Sequence, residues 1–306
     1  MNRRQFLQGM SATFAASLLT RSLPLAASQT KPAEILKRKI PATGEMIPAI
    51  GLGTWQAFMP KDPNDGTALA PLEEVLKTFY DLGGRVVDTA PAYGAAEEVT
   101  GKLAEKLGIT NDLFFATKVS ASGSSAAAQM NASLKKLRRD KIDLMQIHNL
   151  ADAKNNLALL REWKKEGKFR YIGITHISPA KMDDLTTYVK DGVDFVQLPY
   201  SLAMRDAEKS LIPACVEHNV AIIVMRPFDG GNLFAKTKGK PLPDSVKTYA
   251  SSWGEAYLKW ILANEAITAV LPATSKVDHL KDNMNAGSGR LPDAKDRDEL
   301  AKTLEM

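Results

Sequence analysis

Four side chains suited to proton transfer stand at the C-terminal ends of three successive apolar runs. Asp88 closes Arg85–Asp88 and is followed by Thr89-Ala90-Pro91-Ala92-Tyr93-Gly94. Lys118 closes Leu113–Lys118, and His148 follows Gln146-Ile147. Singly, each has a plain structural use: Asp88 as a turn cap, Lys118 as a surface end, His148 as a satisfied core histidine. At successive strand ends they converge on one spot. A free phenol titrates near ~10 and is a poor acid or base at neutral pH. A neighbouring ammonium, Lys118, stabilises the phenolate and lowers that value. Asp88 pairs with the ammonium and keeps it charged and oriented. His148 orients a carbonyl oxygen or shares its proton. The set suits delivery of a proton to a carbonyl oxygen while hydride reaches the carbon. No side chain donates hydride, so a nicotinamide must supply it.

The elements that position these groups recur along the chain. Strand-like runs are expected at Ile50–Gly53, Arg85–Asp88, Leu113–Lys118, Asp143–Ile147, Tyr171–Ile174, Phe195–Leu198, Ala221–Met225 and Thr268–Leu271. Amphipathic stretches follow them at Leu72–Leu82, Glu97–Leu107, Ser124–Leu137, Leu157–Lys165, Pro179–Val189, Leu211–His218, Trp253–Leu262 and Lys276–Met284. Leu72, Val75, Leu76 and Phe79 form one apolar stripe at helical spacing. A helix after every strand implies a parallel sheet. Eight such units in about 250 residues predict a (β/α)8 barrel, with an open doubly wound sheet as the alternative. A small hairpin, turning through Pro41-Ala42-Thr43-Gly44-Glu45, precedes the first unit. Two long connections, Gln56–Pro71 and Asp229–Ser252, break the rhythm and belong to the active face.

With these residues in place, the sequence resembles the aldo-keto reductase family over residues 36–285. The matching motifs are Gly51-Leu52-Gly53-Thr54-Trp55, Asp88-Thr89-Ala90-Pro91-Ala92-Tyr93-Gly94, Ala116-Thr117-Lys118, Gln146-Ile147-His148, Gly173-Ile174-Thr175, Gln197 with Tyr200, and Asn283. The resemblance implies a (β/α)8 TIM barrel whose N-terminal β-hairpin closes the bottom. It implies an NADP(H)-dependent oxidoreductase reducing aldehyde or ketone carbonyls to alcohols. Tyr93 would be the general acid, tuned by Lys118 and Asp88, with His148 orienting the substrate. Cofactor contacts would come from Gly53, Thr54, Asp88, Thr175, His176, Gln197, and Met225 or Arg226 against the ring. Thr274, Ser275 and Lys276, at the start of the last helix, suit a phosphate, with Asn283 towards adenine. The same helix carries His279 where many members carry arginine, which keeps NAD(H) open beside NADP(H). Trp55 and Phe58 would line the substrate pocket with His148. The alternative is a non-catalytic NADP(H)-binding sensor or partner subunit on the same barrel.

The N-terminus reads as an address. Residues 1–28 hold Arg3, Arg4 and Arg21 and no acid, and residues 5–20 are an uncharged run of 16, short for a membrane span. Arg3-Arg4-Gln5-Phe6-Leu7 resembles a twin-arginine (Tat) signal, which carries folded proteins. We expect residues 1–28 to be this signal, cleaved near Ala27, and residues 29–306 to be the barrel, a periplasmic monomer that meets the Tat translocase during export. The three arginines leave +2 of the formal +5 charge for the remainder, no reason to invoke nucleic acid. A single cysteine, Cys215, excludes an intramolecular disulfide, and the four histidines show no ligand-like spacing for a metal.

Overall fold

Alternation along the central strands decides the architecture. In Phe114–Val119, residues Phe114, Ala116 and Lys118 point one way and Phe115, Thr117 and Val119 the other, and all six are buried. A strand buried on both faces needs cover on both, which a parallel sheet ringed by helices provides. The computed structural model describes residues 34–305. The expected signal, residues 1–28, and its cleavage site lie outside the described residues.

A two-stranded antiparallel hairpin, β1 (Lys37–Lys39) and β2 (Met46–Pro48), comes first. Eight parallel strands follow: β3 (Leu52–Gly53), β4 (Val86–Asp88), β5 (Phe114–Val119), β6 (Ile142–Ile147), β7 (Phe169–Thr175), β8 (Phe195–Pro199), β9 (Ala221–Met225) and β10 (Ile267–Val270). They are hydrogen-bonded in sequential order. The ring closes where Ile50 bridges Val270 and Gly53 bridges Ala273, with Gly51 N donating to Val270 O at 2.9 Å. Closure removes the open doubly wound alternative. The helices are α1 (Gly66–Asp81), α2 (Ala96–Lys106), α3 (Ser124–Lys136), α4 (Ala153–Lys165), α5 (Met182–Lys190), α6 (Leu211–Glu217), α7 (Asn232–Thr237), α8 (Asp244–Lys247), α9 (Trp253–Leu262), α10 (Val277–Asn285) and α11 (Ala294–Thr303).

The core divides by strand parity. Val86, Phe114, Leu144, Tyr171, Phe195 and Ile223 fill the barrel interior, where Ile40 and Ile47 of the hairpin join them from below. Val87, Phe115, Met145, Ile172 and Val196 face the helices. Thr43 Oγ1 and Glu45 Oε2 lie 2.8 and 2.6 Å from Tyr171 Oη, so hydrogen bonds tie the hairpin turn to the barrel floor. Arg170 adds an ion pair to Glu45. The hairpin therefore plugs the bottom and leaves the C-terminal mouth as the open end.

Several elements differ from expectation. Helix α1 begins at Gly66, six residues before Leu72, because Asp65 Oδ1 accepts from Thr67 N at 2.9 Å and caps the first turn. Pro71 therefore lies within α1 rather than ending a loop. The Asp229–Ser252 connection carries two short helices, α7 and α8. Helix α11, absent from the sequence expectation, starts at a reciprocal cap between Asp293 and Asp296. Its apolar face is thin, with only Leu300 and Ala301 buried, so its hydrophobic period is weak.

Gly101 of α2 faces α3 at close range. A Cβ there would sit 2.0 Å from Lys136 O and 2.8 Å from Leu137 Cα. Alanine is the better helix former by about 1 kcal/mol, yet backbone cannot yield as a side chain does. Gly101→Ala is expected to destabilise the fold by roughly 1–3 kcal/mol. Urea unfolding checks this; an unchanged or higher midpoint would show that α2 and α3 part freely.

Candidate active site

Strand register brings the chemistry together. Asp88 of β4 pairs with Ala116 of β5, and Lys118 of β5 pairs with Gln146 of β6. All four share the inward parity, so the carboxylate, the ammonium and the amide face one another at the mouth. Lys118 is 1% exposed, and a charge so placed must be paired. Its Nζ donates to Asp88 Oδ1 at 2.7 Å and to the Thr89 carbonyl at 2.8 Å. Gln146 Nε2 donates to Asp88 Oδ2 at 3.3 Å. Thr54 Oγ1 donates to the Asp88 carbonyl at 2.9 Å and fixes the strand end. Gly173 leaves the space Gln146 occupies, since a Cβ there would lie 3.2 Å from Gln146 Cγ and 2.9 Å from Phe195 O.

Tyr93 sits on the loop after β4, held by Tyr93 N to Ala90 O and Ala96 N to Tyr93 O, both 3.0 Å. Its ring centroid lies 5.0 Å from Lys118 Nζ. The His148 ring stands edge-on to it, with centroids 5.8 Å apart and planes at 85°. Burial works against the Lys118 charge, but Asp88 and Tyr93 outweigh it and hold the ammonium above its ordinary value. Burial, then Lys118, pushes the His148 imidazole down to about 4, with His176 adding to the effect, so the ring is neutral at physiological pH.

The expectation that Lys118 brings the phenol below its ordinary value is corrected. Burial raises Tyr93 most, Lys118 pulls it down, and Asp88 pushes it up again by offsetting the ammonium. The balance lies above the ordinary 10.0. The phenol therefore keeps its proton at neutral pH and stands ready as a donor.

These groups open onto a cavity of about 610 Å³. Of the residues singled out in the sequence, Gly53, Thr54, Trp55, Asp88, Tyr93, Lys118, His148, Thr175, Gln197, Met225, Arg226, Thr274, Ser275 and Lys276 line it. Three do not. Phe58 is 0% exposed and packs in the outer core, its N–H bonded to Thr54 O at 2.9 Å, so it is no substrate wall. His176 turns towards a neighbouring groove, where its Nδ1 accepts from Ser178 N at 3.0 Å, and does not line the cavity. Asn283 is buried within α10 and does not reach the lining. Sequence reasoning misses Gln146 and Ile177 as site residues; Ile177 lines the cavity, and Gln146 holds Asp88. Gln146 is discoverable from sequence, since it shares a strand with the lead-in to His148 and register with Lys118.

Among the described residues, Thr89 Oγ1 and Gln146 Oε1 beside Asp88, and Gln197 Oε1 and Arg226 Nε across the mouth, are buried polar atoms without hydrogen-bond partners. Gln197 Oε1, beside Thr175 in register, accepts no hydrogen bond. Arg226 Nε donates none, and its Nη2 is 3.6 Å from Asp229 Oδ1. An acceptor and a cation are thus held open on the β8–β9 side, across the mouth from the β4–β6 group. Ser275 and Lys276 lie exposed where α10 begins.

A statistical description of the Aldo/keto reductase family matches residues 49–302. The chain is 28% identical over 212 residues to Aldo-keto reductase YhdN of Bacillus subtilis, covering 63% of this chain and 62% of that protein, under two thirds of its length. It is 26% identical over 248 residues to Methylglyoxal reductase YeaE of Escherichia coli, covering 78% and 84%. A solved aldo/keto reductase from Klebsiella pneumoniae, in complex with NADP and acetate, superposes with a TM-score of 0.72 at 21% identity, covering 88% of this chain and 96% of that one. The barrel, its bottom hairpin and the extent of the match lead to one conclusion: the chain belongs to the aldo/keto reductase family.

Proposed function

We propose that the protein reduces aldehyde or ketone carbonyls to alcohols with NADPH, Tyr93 giving the proton. The observation that carries this is the buried Lys118–Asp88 pair, 2.7 Å apart, set beneath a protonated Tyr93 on the cavity wall. The reduced nicotinamide, when bound, supplies hydride to the carbonyl carbon. Neutral His148 donates an N–H to the carbonyl oxygen and orients it towards Tyr93. Tyr93 passes its proton to that oxygen. The phenolate left behind is stabilised by Lys118, already in place and dry, so little reorganisation is needed. Asp88, held by Gln146, keeps Lys118 charged through the cycle.

The residues present fit the cofactor. Gln197 Oε1 lacks a donor among the described residues, and the N–H of a carboxamide would satisfy it. Gly53 and Thr54 would hold the ribose, and Thr175 lines the same cavity. Met225, on the lining, would pack against the ring face. Arg226, Lys276 and Ser275 supply cations and a hydroxyl for phosphates, and Thr274 shapes that loop by accepting from Lys276 N at 3.1 Å. The NADP held by the Klebsiella relative supports NADP(H) over NAD(H). The methylglyoxal-reductase name of the Escherichia relative supports a small carbonyl substrate. All four proton-transfer groups come from one chain, which supports a monomer as the working unit.

Titration with NADPH, followed by an aldehyde and ketone panel, tests the reading. The expected result is quenching of tryptophan fluorescence and loss of reduced-nicotinamide absorbance on aldehydes. Tight NADPH binding with no turnover across the panel would replace the enzyme with a binding protein. Arg3-Arg4-Gln5-Phe6-Leu7 supports export of the folded protein by the Tat translocase to the periplasm. An intact mass beginning near residue 28 in the periplasmic fraction is expected; a chain still starting at Met1 would contradict it.

A further inference from the structure

The segments carrying the phenol and the ammonium are joined behind the barrel wall. Glu97 lies four residues after Tyr93, in the first turn of α2, and Thr117 lies immediately before Lys118 on β5. Glu97 is 1% exposed and Thr117 is 0% exposed. Thr117 Oγ1 donates to Glu97 Oε1 at 2.7 Å. The second carboxylate oxygen, Oε2, is buried with no hydrogen-bond partner among the described residues and has Lys136 Nζ, from the end of α3, at 3.6 Å. A nearly dry carboxylate is costly to keep for packing alone. Its neighbour Glu98, by contrast, reaches outward to Arg138 at 2.6 Å. On its other side, α2 is fixed to the Tyr93 loop by Ala96 N to Tyr93 O. One short side-chain bond therefore links the loop that carries Tyr93 to the strand that carries Lys118.

We infer that Glu97, through Thr117, is a positioning residue that sets the approach of Tyr93 to Lys118. It touches neither substrate nor cofactor. The inference rests on the proposed role of Tyr93 as the proton donor. Without the bond, α2 and β5 still pack, but the loop and the strand end lose their common reference. A misplacement of about 1 Å in a reacting group costs on the order of 100-fold in rate, and a partial loosening costs less.

The test uses the full chain with NADPH and an aldehyde, rates being expressed per NADPH-binding site. Thr117→Val removes the hydroxyl and keeps the shape; Thr117→Ala takes its place where the valine variant does not fold. Either is expected to lower kcat about tenfold, with KM and NADPH affinity within about twofold of the parent. The primary isotope effect with deuterated NADPH is expected to rise as chemistry becomes slower than product release. Thr117→Ser, which keeps the donor, is expected to restore kcat to within about threefold. A lower melting temperature with kcat per site and isotope effect unchanged would overturn the inference. So would a serine variant as slow as the valine one. Tyr93→Phe run alongside separates the two failures. If it turns over normally, the proton-donor reading falls; if it is inactive while Thr117→Val is unimpaired, only the positioning role falls.

Discussion

Tyr93→Phe is expected to lower turnover by roughly 1,000-fold, within the range a positioned general acid contributes. Cofactor affinity is expected to stay within about twofold, because the change removes one oxygen from the cavity wall and leaves the ring in place. The fold has no reason to suffer. Lys118 keeps its bonds to Asp88 Oδ1 and the Thr89 carbonyl, and the edge-on contact with His148 involves the ring. The loss should therefore fall on kcat and kcat/KM alike, the signature of an interaction made in the transition state. Stopped-flow absorbance of NADPH measures it directly. A variant as fast as the parent would remove Tyr93 from the mechanism.

The second large effect concerns Lys118. Lys118→Met deletes the cation that stabilises the phenolate and leaves Asp88 buried, with Gln146 Nε2 at 3.3 Å as its remaining side-chain donor. Turnover is expected to fall by on the order of 1,000-fold or more. Stability is expected to fall as well, by roughly 3–5 kcal/mol, because breaking a buried ion pair strands the surviving charge. The two losses separate in the double variant Asp88→Asn with Lys118→Met. It is expected to regain much of the stability, since no charge is left unpaired, and none of the activity. Recovery of both together would mean that Lys118 serves the fold only. Denaturant curves and single-turnover rates on the same samples decide between these outcomes.

Much of this is legible in the sequence because parity in a parallel strand is rigid. Once Leu113–Lys118 is read as a strand, the inward direction of Lys118 follows from its two-residue period. Once helices follow every strand, the strand ends share a face. That reasoning puts Asp88, Lys118 and His148 at one mouth, and all three line the cavity there. It fails where a side chain leaves the strand. Phe58 follows β3 closely in sequence, yet a turn closed by its own N–H to Thr54 O swings it into the outer core. His176 directly follows the inward Thr175, and its direction is set by the turn at Ser178 rather than by the ladder. Proline at 71 reads as the end of the connection before the helix, whereas the Asp65 cap starts α1 upstream of it. The upward displacement of Tyr93 depends on how dry the site is and on how fully Asp88 offsets Lys118, and neither is written in spacing. Glu97 reads only as the start of a helix, because nothing in its neighbours signals a bond to Thr117 across 20 positions.

The pH dependence of hydride transfer in single turnovers, on one aldehyde and with saturating NADPH, bears most directly on which group gives the proton. Burial holds the Tyr93 proton beyond the ordinary range of a phenol, and His148 is already neutral above about 4. The expected profile is therefore level through neutral and mildly alkaline pH and falls only beyond the phenol's range. A rate that instead declines as pH rises through neutrality would assign the proton to a group more acidic than a phenol and contradict the role given to Tyr93.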